Sequence, residues 1–328
     1  MKAMKKFILH TVLFLLPILA VVVACEVLVR QIPNDYSYKY DWLEKNAHRA
    51  QVLTLGTSHT FLGVNPSLFS LKTFNTAYNS QDIERNHYLF MKNIDKMDSL
   101  RYLILPMSLS TLNSNNEDDQ RTWHYLHNYI LYYHQPKTSL RIEYYLEVYQ
   151  GIPFVRLYNW FCLHKDEITC DSLGFSIDKR AKERPKDIKW DDVGKKAAER
   201  HTGNPLNPER IAKNKALIEE MVETCRAKGV TVILLTTPTH EAYRRHVAPE
   251  YEPLKNAYCE ELVRRYDNLR YIDLLASTEY TEEDFWDADH LNTDIGATKL
   301  SKMLDAYIVA DMEKQKRQAK ESGTMDVQ

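Results

Sequence analysis

Apolar and polar positions divide the chain sharply near residue 30. Lys2, Lys5 and Lys6 precede a stretch from Phe7 to Cys25 whose only polar members are His10 and Thr11. As a helix this stretch spans about 28 Å, close to the hydrocarbon thickness of a bilayer. Pro17 does not argue against it, because membrane helices accept kinks. Residues 1–30 are therefore expected to form a membrane anchor. Its basic flank favours the cytoplasmic side, which puts everything after Glu26 outside the cytoplasm. The polar, tyrosine-rich residues 31–48 suit a connector.

Beyond the connector, short apolar runs alternate with helical periodicity. Gln51-Val-Leu-Thr-Leu-Gly56 reads as a buried strand stopped by glycine, a second short strand ends at Phe74, and Arg101-Tyr-Leu-Ile-Leu-Pro106 reads as a third. Ile83, Tyr88, Leu89, Met91 and Ile94 give residues 82–97 a helical face. Arg210 to Lys228 is a periodic helix closed by Gly229, followed at once by the strand Val230 to Thr236. A helix over about 253–266 leads to a fifth strand, Leu269 to Asp273. The closing helix runs from Asp294 to Met312, with Thr293 as its N-cap. This alternation predicts an α/β fold, a three-layer α/β/α sandwich with a five-stranded parallel sheet over residues 49–313. Residues 108–205 break the rhythm and read as a helical insertion or lid. Residues 314–328 read as a polar, fraying tail.

Composition changes this picture little. Hydrophobic residues are 44% and charged residues 27% of the 328, enough to bury a core. A formal net charge of -2 offers no global basic field, and no nucleic-acid module is present. Five cysteines carry no CxxC or zinc-type spacing. In an oxidising compartment Cys162 and Cys170 could pair, while Cys225 and Cys259 read as idle thiols. Two readings compete with the anchor. One is a cleaved signal peptide, although no small-x-small site closes the apolar run. The other is lipidation at Cys25, because Val22-Val23-Ala24-Cys25 resembles a bacterial lipobox.

Candidate chemistry sits at the two ends of the domain. Ser58, in Leu55-Gly56-Thr57-Ser58-His59-Thr60, follows the first strand at the sheet edge where α/β proteins bind ligands. Gly56 permits a tight bend, and a helix starting near His59 would aim N–H groups at an oxyanion. The same Gly-Thr-Ser is also ordinary turn chemistry. Near the other end stands Asp287-Ala288-Asp289-His290. A serine hydroxyl needs a base, and the base needs a partner that fixes its tautomer. Asp287 can turn back onto His290, whereas Asp289, adjacent in sequence, is expected to point away.

Gly56-Thr57-Ser58 after strand one, with Asp287-x-x-His290 before the last helix, resembles the SGNH/GDSL hydrolase superfamily. It is most similar to the membrane-anchored branch near the D-alanyl transfer protein and polysaccharide O-acetylation proteins. Phe74-Asn75-Thr-Ala-Tyr-Asn79-Ser80 resembles the family's second block. The resemblance covers about 50–106 and 209–305. It implies Ser58, His290 and Asp287 as a catalytic triad. Oxyanion or substrate contacts would come from Ser80, Asn75, Asn79 and Ser108, with no cofactor or metal. His59, beside the serine, reads from its position as a substrate contact lining the pocket or as a solvent-facing helix-start residue. Two departures stand out. Ser80 replaces the second-block glycine, and Leu105-Pro106-Met107-Ser108 replaces the third-block Gly-x-Asn.

The resemblance and the anchor together imply two-step acyl transfer on acylated envelope glycans, to water or to a sugar hydroxyl. The alternatives are a thioesterase-like partner in an envelope acylation complex and a non-catalytic glycan-binding scaffold. His240 is read as a substrate contact or a plain loop residue. Trp123, His124, His127 and His134 are read as packing, glycan contacts or metal ligands. The charge run Lys179 to Arg184 is read as a solvated loop.

Overall fold

Each apolar run read as a strand enters one sheet in a computed structural model, which describes residues 2–116, 123–137, 141–149 and 152–321. β1 (Val52–Thr54), β2 (Thr73–Asn75), β3 (Tyr102–Pro106), β4 (Thr231–Thr236) and β5 (Leu269–Asp273) lie in the order β2-β1-β3-β4-β5. All neighbours are parallel, with Leu53 opposite both Phe74 and Leu103. β1 to β4 are buried throughout, which is why they read as unbroken apolar runs rather than alternating ones. The order reverses between β1 and β3, the switch point where doubly wound sheets hold ligands beyond the strands' carboxyl ends.

The chain forms two compact units: Trp42–Asp118 with Cys170–Gln328, and Met1–Asp41 with Asp119–Thr169. The first holds the sheet and the helices α3 (Ser58–Gly63), α4 (Ile83–Asn93), α7 (Trp190–Thr202), α8 (Pro208–Ala227), α9 (Glu241–Arg244), α10 (Tyr251–Arg265) and α11 (Gly296–Glu321). α11 lays Leu300, Leu304 and Ile308 on Val52, Ile104, Ile233 and Leu235 of the sheet. α8 packs on β4 with α4 beside it, and α10 packs on β5.

The second unit holds α1 (Lys2–Val29), α5 (Leu126–Leu131) and α6 (Pro153–Phe161), and the division between units falls within α2 (Asp35–Asn46). α1 is long and apolar enough to cross a membrane, and Cys25 is buried within it.

Several elements differ from the sequence reading. Residues 31–48 are not a plain connector. Asn34 Oδ1 accepts the N–H groups of Tyr36 at 3.0 Å and Ser37 at 3.1 Å, starting α2, and Tyr36 packs on Tyr129 and Tyr133. The stretch 108–205 is not one insertion, since only Asp119–Thr169 joins the second unit. Its remainder supplies α7, whose Ala197 and Ala198 pack with Tyr243, Tyr251 and Leu275. α11 continues past Lys314 to Glu321. Thr293 is not its cap. The Asn292 side chain takes the N–H groups of Ile295 and Gly296, both at 2.9 Å, and Thr293 Oγ1 donates to Asp178 O instead. Cys162 and Cys170 are unbridged, Cys162 exposed and Cys170 buried.

Candidate active site

The turn after β1 is built around Gly56, whose φ of +137° only glycine adopts without strain. A Cβ there would collide with the Thr60 hydroxyl and approach Pro106 Cγ to 2.7 Å. Gly56→Ala is therefore expected to cost about 2–5 kcal/mol, strain and overpacking together, read as a lower urea midpoint. Thr57 then caps α3, its Oγ1 accepting the His59 N–H at 3.3 Å. Ser58 is left in the first turn, half-buried, and its backbone N–H has no acceptor among the described residues.

The loop before α11 closes on itself through a bridge between Phe285 and Leu291 and through Trp286 N–H donating to His290 O at 2.9 Å. Inside it, Asp287 Oδ1 accepts the backbone N–H groups of Asp289 at 3.1 Å and His290 at 2.9 Å. The carboxylate is thereby pinned against the ring, with His290 Nδ1 at 2.9 Å from Oδ1 and 3.1 Å from Oδ2. On the far side of the imidazole, Nε2 lies 2.7 Å from Ser58 Oγ. Three side chains separated by 232 residues thus form one continuous hydrogen-bonded line.

A second carboxylate lies beside the first. Asp289 does not point away as the sequence suggested. It is buried, with Oδ1 3.6 Å from His290 Nδ1. Its Oδ2 lies 3.4 Å from His59 Nε2, 3.5 Å from His201 Nε2 and 3.1 Å from Arg200 Nη2. His201 Nδ1 meets the Tyr243 hydroxyl at 3.1 Å. Burial lowers His290's pKa, but Asp287 and Asp289 more than offset it and hold the imidazole above its ordinary value. For His59 and His201 burial wins: both are pushed down, His201 to about 3, so both are neutral. Burial opposes ionisation of Asp289. Nearby His290 and the hydrogen bond from His59 outweigh it and hold the carboxyl well below its usual range. One ligand atom each from His59, His201 and Asp289 lies within 4.8 Å of the others, a spread a metal ion could span. The Arg200 guanidinium on that carboxylate opposes a cation by charge.

Arg200 and His201 were not anticipated, and neither was the strap over 178–184. Arg180, Lys182 and Glu183 of that charge run are exposed, as a solvated loop would have them, but Ala181 and Arg184 are tied to the protein. Arg184 Nη1 donates to Glu282 O at 2.5 Å and Phe285 O at 2.9 Å, and Ala181 N–H donates to Asp294 Oδ1 at 2.8 Å. It therefore ties down both shoulders of the His290 loop.

The expected oxyanion and substrate residues fare differently. Asn75 is fully committed: Nδ2 donates to Thr60 O at 2.9 Å and Val64 O at 2.8 Å, and Oδ1 accepts Ala77 N–H. Its role is to hold α3 to β2, not to meet a ligand. Ser108 Oγ bonds Thr111 Oγ1 at 2.9 Å and Ser110 Oγ at 3.3 Å, while its backbone N–H has no acceptor among the described residues. His59 is buried against Asp289 rather than facing solvent. Ser80 has a φ of +55°, and its N–H has no acceptor among the described residues. The Asn79 side chain likewise makes no hydrogen bond to a described residue.

His240 stacks on Trp190 at 4.2 Å and caps α9 through Nδ1, which is structural work. His127 is bound to Glu147 at 2.7 Å, and His134 packs edge-on to Tyr40. His124 lies against the Tyr125 ring at 4.2 Å, while the Trp123 side chain lies outside the described residues.

No protein-family model and no curated protein matches the sequence. Among solved structures, the chain is similar to a Bacteroides fragilis protein named a "putative acylhydrolase", with a TM-score of 0.39 and 12% identity over 81% of this chain and 93% of that one. It is also similar to a Streptococcus pneumoniae protein named a "putative platelet activating factor", with a TM-score of 0.39 and 12% identity over 93% of this chain and 98% of that one.

Proposed function

We propose that this chain is a membrane-anchored serine esterase or O-acyltransferase acting on acyl esters of envelope glycans, with Ser58, His290 and Asp287 as its triad. One observation carries the chemistry. The line from Ser58 Oγ through the His290 ring to Asp287 has heavy-atom separations of 2.7 Å and 2.9 Å. That is the reach a nucleophile, its base and the base's partner require.

Ser58 Oγ attacks the acyl carbon while His290 Nε2 takes its proton, and Asp287 accepts from Nδ1–H and stabilises the imidazolium. The N–H groups of Ser58 and Ser80, without acceptors among the described residues, receive the oxyanion, with the Asn79 side chain as a further donor. His290 returns the proton to the departing alcohol, leaving an acyl ester on Ser58. Water or a sugar hydroxyl then gives its proton to His290 and takes the acyl group, and His290 passes that proton to Ser58 Oγ as the ester bond breaks. No step in this scheme requires a cofactor or metal.

The anchoring reading is supported by the length of α1, by the basic residues before it and by its direct continuation into folded structure. An envelope glycan as substrate follows from that location and from the resemblance in the motif residues.

A fluorophosphonate probe tests the catalytic reading. Labelling is expected on the wild type and absent from Ser58→Ala. A folded wild type that resists the probe would instead favour a glycan-binding scaffold. Product analysis of p-nitrophenyl acetate turnover, with and without a glycan acceptor, separates transfer from hydrolysis. The thioesterase-like alternative would show a clear preference for acyl thioesters in the same assay.

A further inference from the structure

Outside α1, most large apolar side chains that face solvent are concentrated between residues 142 and 163. α6 buries none of its nine residues, and Phe154, Val155, Tyr158 and Phe161 are each about half exposed or more. Their spacing of i, i+1, i+4 and i+7 places them on one face of the helix. Tyr149 and Ile152 extend the patch on its N-terminal side. Solvated domains rarely leave so large a continuous apolar surface without a partner.

The opposite face of α6 is fixed by charge. Arg156 donates to Glu147 at 2.9 Å and to Glu167 at 2.8 Å and 3.0 Å. This bidentate grip holds the guanidinium inward and turns the apolar face out. The same segment is fastened to the end of α1. Glu26 accepts the backbone N–H groups of Glu147 at 3.1 Å and Val148 at 3.0 Å, and Arg30 Nη2 donates to Tyr145 O at 2.6 Å. Glu26 is the first charged residue after the apolar run, so these bonds form at the level where α1 would leave the hydrocarbon.

We propose that the apolar face of α6, with Tyr149 and Ile152, lies in the membrane interface beside the exit of α1, its occupant being the lipid surface itself. A short helix with an aromatic-aliphatic face and its one charged residue, Arg156, on the opposite side can lie in that layer, and tyrosine is favoured there. Two attachments, one spanning and one lying flat, would fix the orientation of this unit on the bilayer, which a lone spanning helix cannot do. The proposal rests on α1 being a membrane span.

The test uses the full-length protein in lipid nanodiscs. Cys162 is exposed and ends the apolar face, whereas the other four cysteines are buried, so it takes a nitroxide label without mutation. Its relaxation by oxygen is compared with that by a water-soluble nickel chelate. Reference labels are placed at Leu13→Cys in α1 and Ile295→Cys on the sheet-bearing unit, both in a Cys162→Ser background. The expected result is an oxygen-dominated signal at Cys162 and Leu13→Cys and a nickel-dominated one at Ile295→Cys. A nickel-dominated Cys162 beside an oxygen-dominated Leu13→Cys overturns the interfacial helix and leaves the anchor standing. A label shielded from both reagents means that protein covers the face, which also overturns the proposal. If Leu13→Cys is itself nickel-dominated, the anchor and the interfacial helix fall together.

Discussion

Replacing Ser58 with alanine is expected to lower kcat for p-nitrophenyl acetate by about 10⁴-fold or more, with the thermal unfolding midpoint near that of the wild type. The rate effect is large because the hydroxyl is the atom that bonds to carbon, and no neighbour can replace it: the Thr57 hydroxyl is 3.2 Å from His59 Nδ1 and occupied in capping. The stability effect is small because Ser58 is only half-buried and its hydroxyl's described partner is His290. His290→Ala should fall by a similar factor. The double variant should fall no further than the worse single, since the two residues act as one unit and their losses do not add. Initial-rate kinetics on the four proteins checks this. Additive losses, or a Ser58→Ala rate close to wild type, would mean that the 2.7 Å contact does not carry the turnover.

The sheet was legible because buried parallel strands leave an unmistakable trace, short runs such as Val230 to Leu235 ending at a breaker. The placement of Ser58 and His290 was legible for a related reason: both follow strands, and strand ends of one parallel sheet share an edge. What stayed hidden depends on contacts that no periodicity encodes. Arg200 and His201 meet a carboxylate 89 and 88 positions away, and nothing in their local sequence marks them. The position of Asp289 was misjudged because adjacent residues diverge in an extended chain, whereas this loop is curled around Asp287 Oδ1. Asn75 looked like a ligand contact because Phe74-Asn75 resembles the family's second block, where a strand ends in Asn. Here the end of β2 is roofed by α3, and the amide serves backbone groups instead. The division into two units leaves no mark in composition, since α7 and α6 both lie in the stretch that breaks the strand-helix rhythm.

The two carboxylates beside His290 should separate cleanly by mutation. Asp287→Asn is expected to cut kcat by about 10⁴-fold, because an amide turns the imidazole toward the wrong tautomer while leaving its position intact. Asp289→Asn should cost far less rate, since its contact with Nδ1 is 3.6 Å, beyond a hydrogen bond. Its signature is in the pH profile. Asp289 is one of two charges that hold His290 above its ordinary 6.5, and the base must be neutral to act. The wild-type acid limb of kcat/KM should therefore lie above that value, and Asp289→Asn should move it to lower pH. Stability gives an independent reading. Asp289 ionises in the folded chain well below its usual 3.8, so its contribution is present in full above that pH and is lost as pH falls through the depressed value. Removing the charge-assisted hydrogen bonds should cost about 2–3 kcal/mol at neutral pH. That deficit should shrink on acidification below the ordinary carboxyl range. Buried neutral His59 and His201 act in the same direction over a higher pH range, because below about 6.5 they gain protons on unfolding. Both proteins should therefore begin to lose stability once pH falls below about 6.5. Urea unfolding against pH, run beside the rate profile, distinguishes the two roles. If Asp289→Asn leaves the acid limb where it was while still losing stability, the second carboxylate only supports the loop and does not tune the base.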